Sequence, residues 1–434
     1  MSDLQIVQIN VSQTVGAIPS GLQQTGALVS VGATPLDPGG LQLLTQLSDL
    51  EALVNMTVKS LLVASNKLTI TLTDVLPSSY AVGSTADMVL TGVQPAGYNG
   101  TYTMTVKSST SLETPFTQTL APATTMGAIQ LPHAAELLAM GSTFFAQGEG
   151  LSVYVLELGP AADVKTSVAA LSAYIDEPTR RFYTYLVPQT WDGVAEFIAL
   201  TKNHTANTSM LYFFVTTTAG PVNLYDGIKS VVTMVQDAAA PATECSVASL
   251  MWNYLSASPS PINKVPPMAF RYLLGVTTYT GGSAAKAQLT ENKINYVGTG
   301  AEGGISNTLV MKGVTCDGND MTYWYSVDWV QINVHQALAN AVINGSNNPI
   351  NPLYYNQDGV DRLQVVAQRV FNTGVEYGLV NGQTPVNAIA FKDYVKTNPN
   401  DYAIGRYAGL SAPYTPMRGF TKIIFNINVT LQLS

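Results

Sequence analysis

Charge is what this sequence has least of. Asp, Glu, Lys and Arg together make up 11% of its 434 residues, where an ordinary globular protein carries about a quarter. Apolar residues reach 46%, so the chain is not of the disordered class, which combines low hydrophobicity with high charge. Its surface must be built largely from Ser, Thr, Asn, Gln, Gly and Tyr. Such a surface suits burial against partners, because little charge has to be desolvated. An uncharged surface of extracellular type fits the composition equally well. The net charge is −8 and no block of Lys or Arg stands out, which argues against nucleic-acid binding. No apolar run reaches transmembrane length, and the start "MSDLQIVQIN" has no basic segment followed by an apolar one. Neither direct membrane insertion nor secretion is therefore expected, and a cytoplasm-like compartment is.

Chemistry-bearing residues are equally sparse. The two cysteines, Cys245 and Cys316, have no metal-ligand spacing and form no disulfide framework, so both are expected to be structural thiols. The three histidines, His133, His204 and His335, are scattered. His335 has no second His or carboxylate one helical turn away, as a metal pair requires. No G-x-S-x-G elbow and no phosphate-binding P-loop is present. "GTGAEG", Gly298 to Gly303, matches the dinucleotide pattern, but "ISNTLVMKGV" follows it. That β-branched run predicts a strand where the mechanism needs a helix N-terminus, so a hairpin turn is expected. "CDGND", with Asp317 and Asp320, and "NQDGVD", with Asp358 and Asp361, lack the closing Glu of a calcium loop, which leaves turn and cap roles. The N-x-[ST] triplets at Asn55, Asn203 and Asn428 carry no meaning in a chain that is not secreted. No catalytic residue, cofactor or metal site is expected.

What is present is patterning. In "FNINVTLQLS", Phe425, Ile427, Val429, Leu431 and Leu433 alternate with polar residues to the last position, the period of a half-buried strand. The N-terminus mirrors it with Leu4, Ile6, Ile9 and Val11 in "LQIVQINVS", where one slip at Val7 is absorbed by a bulge. Residues 40–57 are helical or mixed. From 58 to 128 short alternating strands take over, as in "KLTITLTD" and "GTYTMTV", with a turn signal at Asn99-Gly100. This predicts a small all-β module inserted between two helical segments, the second at "LPHAAELLAMGSTFFAQG". Between 151 and 256 strands alternate with helices, which predicts a mostly parallel sheet. "KSVVTMVQD" is ambiguous by period, but its valines favour a strand. The Pro-rich "SASPSPINKVPP" marks a boundary. Beyond it a hairpin over 293–320 precedes helices over about 326–343 and 360–377, the second capped by Asp358 and ended by Gly378.

The C-terminal third resembles the sheath proteins of contractile phage tails and related injection systems. The likeness rests on "SNTLVMKGVTCDGNDM", "YSVDWVQINVHQALANAVING", "DGVDRLQVVAQRVFNTGVEYGLVNG" and "NPNDYAIGRYAGLSAPYTPMRGFTKIIFNINVTLQ". The helical pieces "LQLLTQLSDLEALVNM" and "AAELLAMGSTFFAQG" are similar to the sheath's middle domain, split here by the β module. The fold class this implies is multidomain, α/β and α+β. An N-terminal strand arm covers 1–20, and an α/β middle domain covers 21–57 with 129–257. The β module at 58–128, absent from the family's minimal form, becomes an outward decoration. An inner, tube-facing α+β domain covers 268–420, and a C-terminal strand arm covers 421–434. The resemblance further implies a virion protein, put together in the host cytoplasm. Its subunits form stacked hexameric rings around a tail tube protein, with baseplate and terminator proteins as further partners. On the same grounds the tube-facing candidates are Asp361, Arg362 and Arg369.

The terminal strands then become arms that join sheets of neighbouring subunits. The sequence supports this independently, since an alternating strand with no hairpin partner suits β-augmentation. Burying one large apolar side chain is worth about 1.5–3 kcal/mol. Five of them give about 7–15 kcal/mol gross on that scale, and ordering ten residues costs about 1–2 kcal/mol each. A single arm therefore binds weakly, whereas many arms in a closed ring bind through effective concentration. Other readings remain open. The terminal strand can belong to its own domain's sheet, the chain can be another tail protein such as a tube or surface β protein, or the α/β region can be an enzyme.

Overall fold

The computed structural model describes residues 21–217, 220–300 and 305–422. Both terminal strands read from the sequence, with Leu4, Ile6, Ile9, Val11, Phe425, Ile427, Val429, Leu431 and Leu433, lie outside the described residues.

The chain first lays down β1 (Gly26–Ser30), β2 (Leu41–Leu44) and α1 (Leu47–Val54). The "helical or mixed" stretch at 40–57 thus resolves into a short strand followed by a helix. Six strands come next: β3 (Asn55–Ala64), β4 (Lys67–Leu72), β5 (Thr85–Thr91), β6 (Gly100–Ser108), β7 (Ser111–Pro115) and β8 (Ala128–Gln130). They close into an antiparallel barrel in the order β3-β4-β7-β6-β5-β8, with β8 returning to β3. Alternation decides what points inward: Leu68, Ile70, Leu72, Met88, Leu90, Met104, Val106 and Leu112 are buried together while the intervening threonines face out. The tight β3–β4 turn is made by Ser65 and Asn66, both at positive φ (52° and 59°), which suits the right-handed strand twist. Asn99 does not turn a two-residue hairpin. Its side chain instead bonds both the N–H and the carbonyl of Val93, closing the longer β5–β6 loop.

The barrel hands the chain to α2 (Ala134–Phe145), then to β9 (Val153–Glu157), α3 (Val164–Asp176), β10 (Thr184–Leu186), α4 (Ala195–Asn203), β11 (Tyr212–Thr217), β12 (Val231–Val235) and α5 (Ser246–Leu255). The sheet order is β12-β11-β10-β1-β9-β2. All neighbours run parallel except β2, which is antiparallel at the edge. Strands β1, β11 and β12 are buried at every position, as a sheet covered on both faces requires. Leu28, Val155, Phe214 and Val232 pack towards α2 and α5. Val29, Leu156, Tyr185 and Phe213 pack towards α3 and α4.

The remainder comprises α6 (Ser283–Glu291), β13 (Tyr296–Gly300), β14 (Ile305–Met311), α7 (Met321–Ser346), α8 (Gln357–Glu376), β15 (Asn387–Ala388), α9 (Phe391–Thr397), α10 (Pro399–Ala403) and β16 (Leu410–Ser411). "GTGAEG" starts within β13, and an antiparallel strand follows it, so no helix N-terminus is there to hold a pyrophosphate. Helix α7 begins five residues before the sequence suggested, because Asp320 caps it by accepting from the Thr322 N–H at 2.8 Å. At α8 the cap is Asn356, not Asp358: its Oδ1 accepts from the Gly359 N–H at 2.9 Å. A Cβ on Gly359 would lie 2.0 Å from the Tyr354 carbonyl oxygen, so this tight entry requires glycine. Asp358 sits in the first turn, where its charge suits the helix dipole. At the other end Gly378 takes φ +71°, just past the last turn. Helices α7 and α8 pack together, and Ala367 and Phe371 of α8 join the core that α2 and α5 share with the sheet.

Candidate functional site

The first turns of α7 dock on the amino ends of the parallel strands. Tyr183 immediately precedes β10, Tyr212 opens β11, and Lys229 lies two residues before β12. Asp328 projects from α7 into this edge and is fully buried, and Lys229 is almost so. The Lys229 ammonium is 3.5 Å from Asp328 Oδ1. It also donates to the carbonyls of Ser209 at 2.8 Å and Asn207 at 3.2 Å, and lies 4.4 Å over the Trp324 ring. The hydroxyls of Tyr212 and Tyr183 donate to Asp328 Oδ2 at 2.7 and 2.9 Å. Tyr254 stacks on Tyr183, and their hydroxyls are 3.0 Å apart.

Taking two charges out of water is costly and is compensated only when the remaining donors and acceptors are satisfied. Here they are. Burial still pushes the Asp328 carboxyl up, while Lys229 and the tyrosine hydroxyls oppose that shift. Burial, with the Asp328 charge behind it, drives Tyr183, Tyr212 and Tyr254 well above the usual phenol range. These tyrosines act as fixed donors within a buried cluster.

The same helix turns hold both ends of the described chain. Gln23, near its start, donates to the Tyr325 carbonyl at 2.9 Å. Near its end, the Gly419 N–H donates to Asp320 Oδ2 at 2.8 Å, and the Arg418 guanidinium lies 4.5 Å over Tyr323. Asp317 shapes the turn before the helix, accepting from the N–H of Asn319 and from Trp324 Nε1. The turn and cap roles expected of Asp317 and Asp320 are the ones seen.

The tube-facing candidates are not equivalent. Asp361, Val365 and Arg369 form one exposed row along α8, with Val365 51% exposed. Arg362 turns away, donating to the carbonyl of Pro352 and to Asn351 Oδ1, each at 3.2 Å. The sequence reading did not find Lys229 or Asp328. The available signal was a lone acid inside the otherwise uncharged helical run "WYSVDWV".

The carboxyl ends of the strands, where open α/β sheets take ligands, hold a cavity of about 200 Å³. This is below the roughly 300–1,000 Å³ of small-molecule pockets. Its carboxylates have structural partners: Glu136 accepts from the Gln189 N–H at 2.7 Å, and Asp163 caps α3 through the Thr166 N–H at 2.8 Å. A neighbouring cleft of about 610 Å³ has a mixed lining, with Ala135, Ala139 and Ala240 beside Glu136, Asp192 and Glu244. Beneath these ends, buried Glu157 accepts from the N–H groups of Gly32, Thr34 and Gly159 and from the hydroxyls of Ser30 and Thr34. Cys245 and Cys316 are buried free thiols, pushed by burial up to about 11 and about 12. Burial lowers His204 and His335. Among the described residues, no group of three or more His, Cys, Asp or Glu is placed to hold a metal ion, and no helix is long and apolar enough to cross a membrane.

No family profile and no curated protein matches the sequence. Solved structures do match the fold. A chain of the anti-feeding prophage baseplate, 6-fold symmetrised, aligns at TM-score 0.57 and 13% identity, over 99% of this chain and 100% of that one. A chain of the same baseplate in its contracted state aligns at TM-score 0.52 and 11% identity, over 99% of both. The sheath tail protein Lin1278 of Listeria innocua aligns at TM-score 0.44 and 9% identity, over 93% and 96%. Over nearly its whole length, this chain has the fold of a chain of the anti-feeding prophage baseplate, which accords with the contractile-sheath likeness read in its sequence.

Proposed function

We propose that this protein is a structural subunit of a contractile tail, a sheath protein that polymerises around a tail tube and contracts to drive the tube through an envelope. The observation that carries the reading is the end-to-end fold likeness to chains of a six-fold baseplate known also in a contracted state. A likeness spanning every domain is informative because shape and subunit contacts, not a local site, define such a protein. The partners are further copies of this chain in stacked hexameric rings, a tube protein, and baseplate and terminator proteins. No catalysis is invoked, since energy is stored in the extended lattice at assembly and released by rigid-body repacking.

Residues 1–20 and 421–434 serve as strand arms into neighbouring subunits. Supporting this, the described chain begins and ends on the same turns of α7, so both arms start from one rigid point. The barrel decorates the outside, and the Asp361–Arg369 row of α8 faces the tube. A second reading is favoured by the baseplate origin of two similar structures: a baseplate component rather than a sheath subunit.

Negative-stain electron microscopy of the full-length chain beside one lacking 421–434 tests these readings. Hollow cylinders from the full-length chain alone support the sheath and its arm. Cylinders from both retain the sheath and reject the arm. Discrete rings or monomers at high concentration and in several salts favour the baseplate reading.

A further inference from the structure

Three junctions meet on the first turns of α7. Asp328 joins the helix to the parallel sheet through Lys229, Tyr183 and Tyr212, and Lys229 and Asp328 lie 99 positions apart in sequence. Tyr325, three residues earlier, receives the Gln23 side chain through its carbonyl. Asp320, at the cap, receives the Gly419 N–H. Gln23 is also 3.5 Å from the Tyr183 hydroxyl, so the start of the described chain touches the same network that holds Asp328. The Tyr325 hydroxyl in turn donates to the Ala257 carbonyl at 3.0 Å, pinning the start of the Pro-rich connector.

We propose that the Lys229–Asp328 cluster is an orientation lock: it fixes α7 at one angle on the sheet and thereby sets the direction in which both chain termini leave the subunit. The proposal rests on the reading of the termini as intersubunit arms and deepens it. The reason is directional. An apolar helix–sheet contact tolerates sliding and rotation, because burial does not depend on angle. A buried ion pair with four hydrogen-bond partners does not, since any displacement leaves a charge unpaired in an apolar core. The barrel lacks such a lock. Across its junction run the Tyr80 hydroxyl donating to the Gly32 carbonyl at 2.9 Å and the exposed Ser78 hydroxyl donating to Asp37 at 3.2 Å, and its apolar core is separate. A subunit that repacks as a rigid body needs its arm roots fixed relative to its bulk and can leave its decoration looser.

The test is hydrogen exchange on the full-length chain, read on unassembled subunits. Failure to form cylinders then bears on the functional reading alone. Two variants separate lock from packing. Asp328→Asn keeps shape and removes the charge. The pair Lys229→Met with Asp328→Leu replaces the ion pair by apolar groups of similar size, a change that is often neutral or stabilising.

The lock predicts that Asp328→Asn speeds exchange about tenfold or more at 21–25, 321–332 and 417–420 while 55–130 stays within about twofold. It predicts that the double variant recovers a Tm within about 5 °C of the parent yet keeps fast exchange at 21–25 and 417–420. Parental exchange at both ends of the double variant would overturn the proposal, as would an even rise across the chain, barrel included, in Asp328→Asn. If Asp328→Asn does not fold, Tyr212→Phe removes a single donor to the carboxylate and carries the same readout.

Discussion

Excision of the barrel tests the organisation of the chain most directly. Its entry and exit strands pair with each other: Asn55 lies opposite Gln130 and Thr57 opposite Ala128. Opposed residues of an antiparallel pair are about 4.5–5.5 Å apart, so replacing 57–128 by a two-residue Asn-Gly turn closes the gap without moving either flank. The loss can be worked out from the junction. The barrel keeps its apolar core to itself. What the rest of the chain loses is chiefly the buried Tyr80 hydrogen bond to Gly32 and the exposed one from Ser78 to Asp37. A typical hydrogen bond contributes about 0.5–1.5 kcal/mol net, so the deletion costs the remainder about 1–3 kcal/mol. At about 2–4 °C per kcal/mol for domains of 150–250 residues, Tm should fall by no more than about 12 °C. The assay is calorimetry with near-ultraviolet circular dichroism, which reports the tyrosine cluster around Asp328. A soluble protein with that signature and a single shifted transition is expected. An insoluble product, or one without the tyrosine signature, would refute the separability of the barrel.

Three further outcomes follow from the same geometry. Glu157→Gln turns an acceptor of five donors into a group that points its own N–H at them, and should cost about 2–3 kcal/mol, read as a lower urea midpoint at unchanged slope. Cys245 and Cys316 should resist a thiol reagent at pH 8 in the folded chain and react together once it unfolds, because both are buried with thiols raised to about 11 and about 12. The acid limb has a definite sign. Asp237 is held low chiefly by the Thr280 N–H, Asp163 by the Thr166 hydroxyl and N–H, and Asp226 by Lys293. Depressed carboxyls stabilise above their unfolded value of about 3.9 and lose that contribution as pH falls through the folded value. Asp328 is raised and acts the other way, favouring the fold as it protonates. Urea midpoints measured from pH 6 down to pH 2.5 should therefore fall in the parent and fall more steeply in Asp328→Leu.

Sequence alone determined what is periodic. In "KLTITL" the alternation named Leu68, Ile70 and Leu72 as one face, and those residues are buried. The valines of "KSVVTMVQD" favoured a strand where the period was ambiguous, and β12 is that strand; that β11 and β12 are buried at every position emerged only from the structure. Such signals are local, because a period of two or 3.6 is written within a few residues. Boundaries were less legible where a side chain outranked the pattern. Asn356 rather than Asp358 caps α8, since only Asn356 reaches the Gly359 N–H. Only the tertiary structure decided that Lys229 and Asp328 meet, that barrel closure brings β8 back to β3, and that both ends of the described chain rest on the first turns of α7. Those facts join residues tens to hundreds of positions apart. Within a single sequence nothing distinguishes a lone buried acid from an exposed one until the partners that neutralise it have been folded against it.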